Sequence, residues 1–176
     1  LQDRAQTAMS SLGVTYPELS GYYPQPKGLL FPAFLSVQNL SGIYSPFTIE
    51  ANYNSAMVSY NLPFTICHEL SHLRGFMQEE EANFIGFLAC VNTDDTAFNY
   101  SGYLLGWIYA TNELYEADYD TFEEIYSRLS DNVKADLSAN SSFWNRYDSK
   151  VAEVSGQIND HYLKANGQSD GVKSYD

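Results

Sequence analysis

Basic residues are scarce. Nine Lys and Arg stand against 22 Asp and Glu, and the formal net charge is -13. That balance excludes nucleic acid as a partner, because phosphate binding needs basic surface. The imbalance is local. From Glu79 to Asp131 the only Lys or Arg is Arg128, which reads as a solvated acidic helical face. Long apolar runs are missing as well. The most apolar stretch, Tyr103 to Ala110, contains Gly106 and falls well short of the ~20 residues that span a bilayer. There are two cysteines, Cys67 and Cys90, and no C-x-x-C pattern for a metal or a redox disulfide. Both read as small buried hydrophobes. No internal repeat and no low-complexity segment occurs. With 44% hydrophobic residues among 176, the expectation is one domain, 1–176, with a sizeable core.

Histidine is rare too, with three in the chain, and two of them fall together in His68-Glu69-Leu70-Ser71-His72. In this H-E-x-x-H pattern the histidines lie one helical turn apart and point the same way. Neutral imidazoles suit zinc. The adjacent glutamate suits a general base that does not itself bind the metal.

The surrounding chain predicts an α+β, mostly α-helical fold with a small strand-bearing N-terminal part. Residues 1–12 read as a helix stopped by Gly13. Tyr16 to Gly28 is a loop or extended arm rich in Pro, Gly and Tyr. Leu29-Leu30-Phe31 reads as a short strand, and Pro32 opens a helical turn that runs to Leu40 and ends at Gly42. Ile43 to Ala51 (IYSPFTIEA) reads as one strand. Pro46 cannot donate to a ladder, so this strand belongs at a sheet edge or carries a bulge. An edge strand upstream of the motif is what holds an extended peptide or protein substrate by main-chain pairing. A further short strand is expected at Ala56-Met57-Val58.

Pro63 opens the motif helix and Gly75 stops it. Gln78 to Val91 is a second helix, with acids in its first turn where they complement the dipole and an apolar stripe of Phe84, Phe87, Leu88 and Val91. Further helices are expected over 98–114, from Asp120 with Phe122, Ile125, Tyr126 and Leu129 buried, and from Ser130 or Asp131 to Leu137. A last long helix is expected from Ser141 or Ser142 to Lys164, with Trp144, Val151, Val154 and Ile158 as its stripe.

A catalytic zinc takes a third protein ligand. Gly75 occupies the glycine position of the pattern H-E-x-x-H-x-x-G-x-x-H, but the third-histidine position holds Gln78, so that pattern fails. A carboxylate fits better. If the second helix returns antiparallel, its first turn faces His72 and its next turn faces His68. Glu79 then lies beside His72, and Asn83 shares its face and can hydrogen-bond His68. Glu80 is turned by roughly 100° and ranks second, with Glu81 third.

The run from His68 to Phe84 (HELSHLRGFMQEEEANF) resembles an uncharacterised bacterial family, the domain of unknown function numbered 3810. The resemblance extends to Gly42-Ile43-Tyr44-Ser45-Pro46-Phe47-Thr48 with Glu50-Ala51-Asn52. It also covers the tail, Tyr162-Leu163-Lys164 with Asn166, Gln168, Gly171, Val172, Ser174 and Tyr175. It implies a zincin-like domain of the gluzincin type, with an edge strand, an H-E-x-x-H helix, a glutamate helix and further C-terminal helices. It also implies a membrane-anchoring segment upstream and an extracytoplasmic catalytic domain at the cell membrane. The gluzincin pattern E-x-x-x-D places Glu79 on the metal and Asn83 where an Asp would support a histidine.

The expected activity is that of a zinc metallopeptidase, with Zn2+ on His68, His72 and Glu79 and with Glu69 as the base. An oxyanion donor is expected from Tyr175, Tyr162 or His161, near the C-terminal end. The alternative is a catalytically silent zincin scaffold that binds or senses a ligand at the cell envelope.

Overall fold

The computed structural model describes residues 1–172. The elements begin with α1 (Gln2–Thr15), a 3-10 turn (Pro17–Leu19), β1 (Lys27–Gly28), α2 (Ala33–Val37), β2 (Gly42–Ser45) and β3 (Glu50–Tyr53). Six helices follow: α3 (Asn61–Leu73), α4 (Glu79–Val91), α5 (Thr96–Ala117), α6 (Tyr119–Ser127), α7 (Asp131–Asn145) and α8 (Lys150–Ala165). The fold is therefore mostly helical with one small sheet, as the pattern of helix and strand signals along the chain predicts.

The motif helix α3 is the axis of the fold. Pro63 sits in its first turn, where a missing N–H costs nothing. Phe64, Ile66, Cys67 and Leu70 are buried, and so is almost every residue from Asn61 to His72. A helix buried on all sides must be packed on all sides. The sheet, α1, α4 and α5 do this. The core joins Ala5, Met9 and Leu12 of α1 to Ile66 and Leu70, to Ile85 and Ala89 of α4, and to Phe98 of α5.

Gly75 ends the motif helix as expected, with a φ of 94° that strains any side chain. The next helix then runs back along α3. Ser71 Oγ donates to Ala82 O at 3.4 Å, and a Cβ at Gly86 would stand 3.2 Å from the His68 backbone nitrogen. Cys67 and Cys90 are buried thiols facing each other across this seam. The neighbouring Cys90 thiol, with burial, pushes Cys67 well above the usual thiol range. Such close approach selects small residues, so α4 buries Ala82, Ile85, Gly86, Ala89 and Cys90. The expected Phe84 stripe is wrong by a rotation of the helix. Phe84 is 61% exposed, and Phe87 and Leu88 only flank the core.

The sheet corrects the expectation of a single strand over 43–51. Those residues form a hairpin, with Pro46 in the turn between β2 and β3. Proline's fixed φ and missing donor favour that turn, and Thr48 Oγ1 closes it on Ser45 Oγ at 2.9 Å. The order is β1-β3-β2, with β1 parallel and β2 antiparallel to the central β3. The edge position survives, carried by β2. The strand expected at 29–31 is displaced to Lys27–Gly28, leaving Leu30 and Phe31 exposed. Residues 56–58 form a turn rather than a strand.

Four further boundaries move. Gly13 lies inside α1, where the chain folds back so closely that a Cβ would meet Leu19 O at 2.9 Å. Asp118, not Asp120, caps α6, whose Phe122, Ile125 and Tyr126 are half-buried. The last two helices divide differently from expectation. Ser141 Oγ donates to Leu137 O inside α7, and Ser149 caps α8. The expected α8 stripe is open to solvent, with Val151, Val154 and Ile158 at 55%, 52% and 64% exposure. Among the described residues, no helix is long and apolar enough to cross a membrane.

Candidate metal centre

Helix periodicity puts His68 and His72 on one face of α3, and the Gly75 reversal brings Glu79 across to it. All three side chains are buried. Their ligand atoms lie within 4.8 Å of one another. His68 Nε2 is 3.1 Å from His72 Nε2 and 3.1 Å from Glu79 Oε2. The second histidine's Nε2 is 3.7 Å from the same oxygen. Donors on a tetrahedral ion with bonds of about 2.0–2.1 Å stand roughly 3.3 Å apart, so this spacing fits one ion. Glu79 Oε2 has no hydrogen bond. A buried carboxylate oxygen is costly unless a cation balances it, and here the groups that face it are the two imidazoles.

The tautomer of His72 is set by the backbone. Its Nδ1 lies 2.8 Å from Phe76 O, which makes Nδ1–H the donor and leaves Nε2 free to ligate. His68 has no such support, because its Nδ1 is buried without a partner. Asn83 lies near enough to favour the charged form of His68, and its Oδ1 also accepts from Tyr109 Oη at 3.4 Å.

The two imidazoles are driven apart electrostatically. Burial disfavours charge on His68, but Glu79 and Glu69 outweigh it and the net shift is upward. Burial and the nearby His68 hold His72 below the ordinary histidine value. Both effects follow from packing two bases and two acids into one buried space.

Glu69 lies beside this group without joining it. Burial, assisted by the charge of Glu79 and opposed by His68, pushes its carboxyl up to about 8. Its position is set by β2. A Cβ at Gly42 would stand 2.7 Å from Glu69 Cδ and 2.8 Å from Cγ, so the strand rests on the carboxylate where a side chain would be. Tyr44 follows on the same face, its ring 6.3 Å from that of His72.

The outer edge of β2 is chemically open. Asn54 N–H donates to Ser41 O at 2.8 Å, which makes Ser41 and Asn54 a bonded pair. The register then bonds Ile43 to Asn52 and Ser45 to Glu50. Gly42 and Tyr44 therefore turn their N–H and C=O away from β3. No other strand among the described residues pairs with them.

Of the other candidates, Glu80 and Glu81 are exposed on α4 and stand outside the cluster. His161 and Tyr162 are exposed on α8. Tyr175 lies outside the described residues. Sequence reasoning missed Gly42, Tyr44 and Gln168. The amide of Gln168 reaches the backbone of Glu79 and Met77. Only their inclusion in the family-like segments pointed to them.

The chain matches, over residues 1–176, the family described as "Protein of unknown function (DUF3810)", and it belongs to that family. No curated protein and no solved structure matches it.

Proposed function

We propose that this DUF3810 protein is a zinc-dependent metallopeptidase built on a zincin-like arrangement. The observation that carries this reading is the buried convergence of His68, His72 and Glu79, whose ligand atoms all lie within 4.8 Å of one another. Two imidazoles and a carboxylate form the donor set of catalytic zinc sites that keep a position open. When bound there, zinc supplies Lewis acidity that polarises a carbonyl and acidifies a water.

The chain's own groups do the rest. An extended peptide pairs with the open N–H and C=O groups of Gly42 and Tyr44, which sets its backbone beside the ligating face of α3. Glu69 accepts a proton from the attacking water as the new C–O bond forms. It returns that proton to the amine nitrogen as the C–N bond breaks. An extracytoplasmic site, reached through a membrane anchor upstream, is proposed on the family resemblance alone.

The test pairs two measurements on Glu69→Gln. The variant should hold zinc like the wild type and lose cleavage of a mixed peptide library by at least about 100-fold. Equal cleavage by both proteins rules out Glu69 as the base. Full zinc occupancy with no cleavage by wild type favours the silent-scaffold alternative.

A further inference from the structure

The segment between His72 and Glu79 is short and largely open. Gly75, Met77 and Gln78 are exposed, and a Cβ at Gly75 would touch nothing within 4 Å. His72 precedes this segment and Glu79 follows it, so its freedom passes directly into the ligand geometry. The near end is held by the His72–Phe76 contact. The far end has no local support. Gln78 stands at the N-cap of α4 in an extended conformation and makes no side-chain cap, although first-turn N–H groups have no partner within a helix.

The missing cap comes from 89 residues away. Gln168 Oε1 accepts from the Glu79 N–H at 3.4 Å, and Gln168 Nε2 donates to Met77 O at 3.1 Å. The two ends of one amide thus hold the backbone on both sides of Gln78. Gln168 itself is 8% exposed, in a tail that is otherwise largely at the surface.

The tail is shaped to deliver that side chain. Beyond α8 the chain turns at Gly167, with φ at 88°. Gln168 N–H returns to Leu163 O at 3.0 Å, and Gly171 N–H closes on Gln168 O at 3.0 Å. Asp160 Oδ1 accepts from Val172 N–H at 3.1 Å. Gly171 packs so tightly on Asp160 that a Cβ would sit 2.9 Å from its Cγ. Leu163, one turn before the hook, is the buried residue of α8.

We propose that Gln168 is a positioning residue for the metal ligand Glu79, and that the C-terminal hook clamps the 77–79 backbone so that the Glu79 carboxylate faces His68 and His72. This rests on the metal-centre assignment above. It makes metal affinity depend on a residue that touches no ligand atom, through the start of α4. Outer groups that orient ligands change metal affinity by about 10- to 100-fold when removed.

The experiment is a zinc titration of the full chain against a competing chromogenic chelator. It compares wild type, Gln168→Ala, Gln168→Met and Ser169→Ala. The Met variant keeps the volume and removes both hydrogen bonds, so it decides the matter if the Ala variant unfolds. Circular dichroism of each zinc-free protein establishes that it is folded. Gln168→Ala and Gln168→Met should bind zinc 10- to 100-fold more weakly, with Ser169→Ala unchanged. A folded Gln168→Met that binds zinc as tightly as wild type overturns the clamp and leaves the metal centre standing. A wild type that binds no zinc overturns the metal centre and the clamp with it.

Discussion

Helices α3 and α8 are opposite extremes of the same chain. The first is buried almost throughout and presents two histidines to one point. The other has Leu163 as its buried residue and leaves Val151, Val154 and Ile158 open. Yet the two are connected, because the hook at the end of α8 reaches the backbone of Glu79. The difference separates two ways of fixing a ligand. Around α3, dense packing makes each rotamer costly to change. At the start of α4, two hydrogen bonds from a distant amide do the same work across an exposed turn.

The contrast can be broken most severely at Gly42. In Gly42→Ala the new methyl would displace the Glu69 carboxylate while leaving all three ligands untouched. Peptide cleavage should fall about 100-fold, the cost of moving a reacting group by about an ångström. Zinc stoichiometry should hold. Steady-state kinetics with metal analysis checks this, and loss of zinc together with activity would place Gly42's role in the ligand set instead.

A second test uses the buried charge in the same half. The folded-state pKa of Glu69 lies above the ordinary carboxylate value, at about 8. Its stabilising contribution is therefore complete below the ordinary carboxylate pKa and is lost as pH rises through 8. Zinc-free wild type should be less stable at pH 9 than at pH 5. Glu69→Gln removes that loss and should gain on the order of a few kcal/mol over wild type at pH 9. Urea melts at the two pH values measure it. A variant with the same pH dependence as wild type assigns the loss to other groups.

The smallest effect belongs to the open half. Val154→Ser on α8 should change stability by less than about 0.5 kcal/mol and leave zinc affinity alone. A large loss in a thermal melt would mean that this face is covered in solution.

The sequence disclosed most where chemistry and periodicity coincide. His68, Glu69 and His72 follow from a five-residue spacing, and Gly75 marks the reversal that brings Glu79 across. Elsewhere, competing physical causes shared one signal. β-branched and aromatic residues continue through the turn between β2 and β3, at Phe47, Thr48 and Ile49, so only the hydrogen-bonded register separates the hairpin from a single strand. On α4 the bulky Phe84 dominates any apolar pattern, but close packing on α3 selects Ala82, Gly86 and Cys90. Ser141 is the expected start of the last helix, but Ser149 caps it. The first spends its hydroxyl inside α7, so only the second opens a helix. Gln168 was invisible as a clamp because its partners lie 89 and 91 residues away.

The proposed centre requires His68, His72 and Glu79 to hold one zinc ion. Its most direct test is the metal content of protein purified without added metal, compared with His68→Ala and Glu79→Gln. About one zinc per wild-type chain is expected, with none retained by His68→Ala and Glu79→Gln strongly depleted. Full zinc occupancy in both variants would contradict it.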